Sequence, residues 1–451
     1  MTVALDRAQT ELGNIVGAAR VVSDEKTRAC LSVGGKTPQM VVYPSSAEQA
    51  AEILRYASHE RLALIPCCNA TELSIGNPPR DYDVALCMKE MNRVWHYEPE
   101  DLTVSAEPGM KFGDFQHFVG QHGLWLPLNP PGGASASLGG IVSTNATGSY
   151  RCHYGTPRDM VLGVKIATAK GKVVKAGGRV VKNVAGYDLT KLMIGSFGTL
   201  AVIVEMSFKL FPRPGERATF VLATGTLEKA REIRRALQLS PIRPHRAALL
   251  DASYIEFLKE TGTLEDRGGG CEIWVEIGGT RRVVQRCFTE LKQIAAGAGE
   301  DMREPVPDGK AQSAWQRIDE PYLDVRTSGD DWLLKAALPV SAVEEFMVRA
   351  NRDLRRPEHS CRLWAEPLGG IVHLWLESHP GQAGLEDVTV KLRHLANDLG
   401  GSLIVEIAPP GGKAKVDAWG TVGDDLEVMR KLKEAWDPNH ILAPGRFVGG
   451  L

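Results

Sequence analysis

The sequence predicts an α+β protein of two or more domains, and three observations support that class. The chain has 451 residues, 43% of them apolar, which is enough to bury large cores. The stretch from Asn129 to Pro212 combines glycine-rich turns with β-branched strands. From Thr219 to about Ala408, strand-like and helix-like segments alternate.

Composition excludes several function classes. A net charge of −2 gives no field suited to nucleic acid or an anionic membrane. No run approaches the ~18 apolar residues of a membrane-spanning helix, and the first residues lack the basic-then-apolar plan of a signal peptide. A cytoplasmic location is therefore expected, with any membrane association coming through partner subunits. The eight cysteines are scattered, without a CxxC pair or a four-cysteine cluster. Neither structural zinc nor an iron–sulfur cluster is expected, and the cysteines read mostly as small buried residues.

In chain order, MVVYP, the helical run SSAEQAAEILRYASHE and RLALIP form a β-α-β unit, with Ser45 or Ser46 as N-cap and Pro44 ending the first strand. DVALCM and LTVSAEPGM add strands, Pro108-Gly109 makes a turn, and KFGDFQHFVGQHGLWLPL reads as a helix and a return strand. Gly132, Gly133, Ala134, Ser135, Ala136, Ser137, Gly139 and Gly140 then form a run almost without side chains, interrupted by Leu138. Backbone N–H groups in such a run can approach an anion such as a diphosphate, and a helix opening at Leu138 adds its positive end. VLGVKIATA and KVVKAG are paired strands about Lys170-Gly171. YDLTKLMIG is a helix with Gly195 as candidate C-cap, and GSFGTLAVIVEMSFKL enters a long strand. Beyond Gly215 the expected strands are TFVLAT, RAALL, CEIWVEI, DWLLKAAL, CRLWAE, IVHLWLE and SLIVEIA. LEKAREIRRALQL, RRVVQRCFTELKQIA, SAVEEFMVRANRDL and LEDVTVKLRHLAND are the helices between them, and Asp301 to Asp308 is read as an exposed loop. Ferredoxin-like halves beside one sheet fit this order. A final helix stops at Asp437-Pro438.

The motifs GNPP, YEPEDLTVSAEPGM, WLPLNPP, SLGGIVSTNATG, YGTPRDMVLGVK, GGRVVKNVAGYDLTKLMIGSFGTLAVI and DPNHILAPGR occur in this order. In them the chain resembles the FAD-linked oxidases with a vanillyl-alcohol-oxidase or PCMH-type flavin domain, and within these the FAD-binding subunits of bacterial glycolate oxidases. The resemblance implies an N-terminal extension over 1–36, a two-subdomain FAD-binding domain over 37–215, an α+β cap over 216–420, and a C-terminal helix and tail over 421–451 that returns to the flavin domain. It also implies non-covalent FAD, a small 2-hydroxy acid substrate, and a complex with a larger flavin-containing catalytic subunit and an iron–sulfur subunit.

By the same resemblance, one wall of the FAD site is Pro66, Cys67, Cys68, Asn69, Ala70 and Thr71. The other is Asn129, Pro130, Pro131, Leu138, Gly139, Gly140, Thr144 and Asn145, with Gly155, Gly198, Thr199, Leu200 and Ile203 contributing mainly through backbone. The first wall departs from the family: Cys68, Asn69 and Ala70 stand where glycines are expected, at a cost of about 1 kcal/mol or more wherever φ must be positive. Ala443 likewise stands where relatives often carry Asn. Two readings of the first loop stay open, altered FAD binding and loss of FAD.

No catalytic or metal-binding residue is assigned. His117, His122 and His153 read as surface histidines, and Cys67 and Cys68 as loop or core residues without chemistry. Lys182, Tyr187 and Asp188 fit a site and loop support equally. Related lactate and glycolate oxidoreductases carry a His-x-Gly-Asp-Gly-Asn-x-His type segment in the cap; here the nearest counterpart is GGIVHLWLESHP, with His373 and His379. The function expected is an FAD-binding subunit of a glycolate oxidase or dehydrogenase complex. A self-sufficient FAD-dependent 2-hydroxy-acid dehydrogenase and a flavin-free structural subunit are the alternatives. Nicotinamide binding is disfavoured, because no strand leads into a Gly-x-Gly-x-x-Gly helix with an acid beyond it.

Overall fold

The computed structural model describes residues 2–179, 187–264, 270–303, 305–320, 324–325, 329–354, 360–378 and 384–451. Lys182 and His379 lie outside the described residues. Two compact units emerge: Met1–Thr147, Thr156–Pro212 and Thr421–Leu451 form the first, Gly148–Gly155 and Arg213–Gly420 the second.

In the first unit, β1 (Val21–Val22), β2 (Met40–Val42), β3 (Leu64–Cys67) and β4 (Val84–Cys87) form a sheet in the order β1-β2-β4-β3. β4 lies parallel to both β2 and β3, while β1 is antiparallel to β2. The helix Ala47–Glu60 makes the crossover from β2 to β3. Of the two serines before it, Ser46 is the cap, accepting from the Gln49 amide at 3.2 Å. Ala50, Ile53, Leu54 and Ala57 recur at helical spacing and pack with Met40, Val42, Leu64 and Val84 in one core. The N-terminal segment is more than an extension. Its helix Thr2–Val16 buries Ala8, Leu12 and Val16 in that same core, and β1 adds an edge strand.

A second sheet of this unit uses β5 (Val94–Glu98) and β6 (Thr103–Ala106), then β8 (Val161–Ala167), β9 (Val173–Gly177) and β10 (Val202–Lys209), in the antiparallel order β5-β6-β10-β8-β9. β7 (Leu124–Trp125) pairs with β11 (Phe211–Pro212). The expected hairpin at Lys170-Gly171 closes β8 onto β9, with the Gly171 amide donating to the Thr168 carbonyl at 2.9 Å.

The second unit is one antiparallel sheet of seven strands: β12 (Glu216–Thr224), β13 (Arg246–Leu250), β14 (Cys271–Gly279), β15 (Trp332–Ala337), β16 (Cys361–Glu366), β17 (Ile371–Leu376) and β18 (Ser402–Ile407), in the order β12-β14-β13-β16-β17-β15-β18. β15 to β18, with helices Val343–Leu354 and Leu385–Asp398, run βαββαβ with their first strand between the third and fourth, the ferredoxin-like arrangement. β12 to β14 repeat that order with a fourth strand reduced to two bridges, Leu222 to Met302 and Thr219 to Val306. The expected loop from Asp301 to Asp308 is exposed at Asp301, Pro305 and Pro307, but Val306 within it is buried against that edge. The two halves join where Leu249 and Leu250 of β13 face Ala365 and Trp364 of β16.

Candidate cofactor cleft

β3 stops at Cys67 and the chain turns through Cys68, Asn69, Ala70 and Thr71. The Asn69 side-chain amide donates to the Ser135 carbonyl at 2.9 Å, and the Cys68 thiol to the Pro108 carbonyl at 3.4 Å. These bonds tie the first loop to the small-residue run. The left-handed residue of the loop is Ala70, with φ 58, and not Asn69. Neither the Asn69 nor the Ala70 backbone amide has an acceptor among the described residues.

Close approach explains the glycines of the facing wall. A Cβ on Gly132, at φ 84, would sit 2.7 Å from Thr71 Cβ, and one on Gly139 would sit 2.6 Å from Pro108 Cβ. Ser137 caps the short helix Leu138–Thr144 by accepting from the Gly140 amide at 3.3 Å. Asn145 ends that helix at φ 55, and its side-chain oxygen accepts from the Arg158 amide at 3.2 Å. Thr144 Oγ1 lies 2.5 Å from Glu72 Oε2 and 2.8 Å from the Gly140 carbonyl.

The C-terminal segment completes this unit's site. Ala443 adopts φ 45, is fully buried, and its amide donates to the Leu64 carbonyl at 2.7 Å. Its role is thus to stitch the tail to β3 through backbone. Arg446 is buried rather than exposed, and its Nη2 donates to the Leu73 carbonyl at 2.7 Å and to the Ile75 carbonyl, fixing the segment beyond Thr71. Burial pushes its guanidinium down to about 10.

These elements line a cleft that is open to solvent. Of the residues expected there, Pro66, Cys67, Cys68, Ala70, Thr71, Gly139, Gly140, Thr144, Gly198 and Ile203 line it. Asn69, Asn129, Pro130, Pro131, Leu138, Asn145, Gly155, Thr199 and Leu200 do not. Leu138 points into the core, Thr199 presents its carbonyl to buried Lys433, and Gly155 belongs to the excursion Gly148–Gly155 that packs with the second unit. Glu72 and Phe197 line the cleft without having been singled out, and Arg446, which the sequence leaves open between the flavin edge and an exposed structural role, lines it too. No sequence pattern marks the two charged ones, because the contacts that place them, Thr144 on Glu72 and the Leu73 and Ile75 carbonyls on Arg446, span 72 residues or more.

The cleft fits a flavin dinucleotide. The Ala70 amide on its wall has no acceptor among the described residues, and side chains are missing at Gly139, Gly140 and Gly198, where an anion can approach the backbone. No helix of the described residues is long and apolar enough to cross a membrane. His117, His122 and His153 are exposed, and Asp188 caps the helix Leu189–Met193 while Tyr187 is fully exposed.

In the second unit, one sheet face carries buried polar groups. His373 lies 3.4 Å through Nε2 from Glu366 Oε1 and stacks on Trp364, with ring centroids 4.9 Å apart. Lys335, opposite His373 in the register, pairs with Glu406 at 3.1 Å. Glu366 Oε2 and His373 Nδ1 have no partner among the described residues. The sequence reading, which named only His373 and His379 in this segment, did not single out this acid. Glu366 and His373 are seven residues apart, the spacing between the two histidines of His-x-Gly-Asp-Gly-Asn-x-His.

A family model described as an FAD binding domain matches residues 38–177, and one described as the C-terminal domain of FAD linked oxidases matches residues 213–447, just over half of the chain. The chain is an FAD-linked oxidase. FAD is its cofactor and oxidoreduction its chemistry. This FAD-linked oxidase is 27% identical over 420 residues to a mitochondrial D-lactate dehydrogenase (cytochrome) of Arabidopsis thaliana, covering 91% of the chain and 73% of that relative. It is 24% identical over 417 residues to the glycolate oxidase subunit GlcD of Bacillus subtilis, covering 91% and 89%. Among solved structures it shares the fold of an alkyldihydroxyacetonephosphate synthase (TM-score 0.75, 17% identity, 97% of this chain and 86% of that one). The same holds for p-cresol methylhydroxylase (TM-score 0.74, 16% identity, 99% and 97%).

Proposed function

We propose that this FAD-linked oxidase is the FAD-binding subunit of a complex that oxidises glycolate to glyoxylate, beside a larger flavin-containing catalytic subunit and an iron–sulfur subunit that carries the electrons onward. The observation that supports an accessory role is the segment Glu366–His373. Where the resembled lactate and glycolate oxidoreductases carry two histidines around Gly-Asp-Gly-Asn, this chain has one acid, one histidine and an otherwise apolar turn. A single proton can be held between Glu366 and His373, but the histidine cluster that positions a hydroxy acid has been replaced.

In this reading the Ala70 amide and the side-chain-free surface of Gly139 and Gly140 receive the diphosphate of FAD without a covalent bond. Arg446 keeps the segment after Thr71 in place through its carbonyls. FAD, once bound, supplies a two-electron acceptor. The dispersed cysteines offer no cluster site of their own, so electron exit falls to a partner.

The test compares visible spectra of the chain purified alone and co-expressed with its genomic neighbours, before and after anaerobic glycolate. A flavin that stays oxidised in the isolated chain and bleaches in the complex supports the accessory role. Bleaching in the isolated chain makes it a self-sufficient dehydrogenase, and colourless protein in both preparations makes it a structural subunit.

A further inference from the structure

Cys67 and Cys87 are the last residues of β3 and β4, and they face one another in the parallel register. Both are free thiols. Their side chains share one buried cluster, and Cys87 Sγ lies 3.5 Å from the carbonyl of Cys68, the first residue of the loop. Cys67 lines the cleft, whereas Cys87 is buried behind it. The thiols that the fold brings side by side are thus Cys67 and Cys87, a pairing that the sequence reading of Cys67 and Cys68 as residues without chemistry did not include.

We propose that Cys67 and Cys87 form a reversible disulfide when a hydroperoxide enters the cleft, and that this bond loosens the Cys68–Thr71 loop and releases FAD; the release, though not the bond, rests on the cofactor assignment above. Neighbouring strands run ~4.8 Å apart, inside the Cα window for a disulfide, ~4.4–6.8 Å. In-register side chains on parallel strands project side by side, so closing the bond pulls the strand ends together. Such a bridge is strained and readily reduced. The strain falls beside Ala70, whose φ of 58 already leaves that loop little tolerance.

The chemistry balances with hydrogen peroxide as the two-electron oxidant. Hydrogen bonding with Cys87 and burial hold the Cys67 thiol up while Cys87 is held down, so Cys67 meets the peroxide as a thiol whose proton leaves with the departing water, and Cys87 is the better resolving nucleophile. Cys67 Sγ attacks a peroxide oxygen, the O–O bond breaks, and a sulfenic acid and water form. Cys87 Sγ then attacks the Cys67 sulfur, the S–O bond breaks, and a second water leaves. Two thiols are oxidised and one peroxide is reduced.

The experiment treats the purified holoprotein with hydrogen peroxide. It reads disulfides by mass spectrometry of non-reduced peptides and bound FAD by flavin fluorescence, for the wild type, Cys87→Ser, Cys68→Ser and Cys30→Ser. The expected result is a Cys67–Cys87 crosslink in the wild type, Cys68→Ser and Cys30→Ser. FAD affinity should fall about tenfold in the wild type and recover with dithiothreitol, while Cys87→Ser keeps its FAD throughout. If Cys67 and Cys87 remain alkylatable while exposed Cys30 oxidises, or if Cys67 links to Cys68, the pair is not a redox site. If the crosslink forms with FAD affinity unchanged, the latch is overturned. Crosslinking in a preparation that binds no FAD before oxidation keeps the thiol chemistry and rejects the release step.

Discussion

Lys433 and Asp437 stand one helical turn apart, both buried, and their charges meet at 2.7 Å. Lys433 spends its other two bonds on the carbonyls of Thr199 and Leu442, at 2.8 and 2.7 Å. Asp437 accepts from the amides of Ile441 and Leu442 at 3.1 and 2.8 Å. One ion pair thereby joins the C-terminal helix Leu426–Trp436, the tail that pairs with β3, and the turn that contains Gly198.

Lys433→Met leaves Asp437 as an uncompensated buried charge. Urea unfolding should show a loss of about 3–5 kcal/mol. The double variant Lys433→Met/Asp437→Asn, which removes both charges, should recover a large part of it.

Gly139→Ala places a methyl group 2.6 Å from the Pro108 ring, in a wall with no flexible neighbour to yield. A loss of about 1–3 kcal/mol in thermal unfolding is expected, with faster release of flavin. Gly297→Ala, where nothing lies within 4 Å and the backbone is helical, should leave both unchanged or slightly improved.

Ala70→Gly removes the cost of holding a side chain at φ 58. The relief of about 1 kcal/mol exceeds the added chain entropy, so a net gain of about 0.5 kcal/mol is expected, together with tighter FAD binding in a fluorescence titration. Weaker binding would mean that the alanine methyl group itself touches the cofactor.

Two groups of the second unit titrate in opposite senses. Burial pushes buried His245 down to about 4, so its contribution is present above pH 6.5 and is lost as pH falls toward 4. Burial pushes the Asp319 carboxyl up to about 6, so its contribution is present below pH 4 and is lost as pH rises toward 6. Each is worth about 3 kcal/mol, and in the wild type they largely offset. His245→Gln should therefore become less stable as pH rises from 4 to 6 relative to the wild type, and Asp319→Asn more stable. Denaturation midpoints measured across that window check both slopes.

Local periodicity explains which elements the sequence alone could place. Leu227–Leu239 and Leu385–Asp398 have the predicted limits, because an apolar stripe at helical spacing needs no knowledge of what covers it. All seven strands of the second sheet were readable for the same reason, and so was the small-residue run, since a missing side chain is visible in one dimension. The segment from Asp301 to Asp308 read only as a loop, because its polar residues hide two bridges to an edge strand more than 75 residues away.

What only the tertiary structure decided are the partnerships between distant residues. Glu366 meets His373 because a tight turn at Gly370 folds β16 onto β17, and Cys67 meets Cys87 because two parallel strands happen to end in register. Arg446 reaches the cleft only through the return of the tail to β3. The sequence by itself determined most of the elements and the family, since both are written in short-range patterns, and left open whether the altered first loop keeps FAD. The placement of charge and thiols around the cleft came from register and chain return, which depend on the packing of the whole unit and leave no local mark.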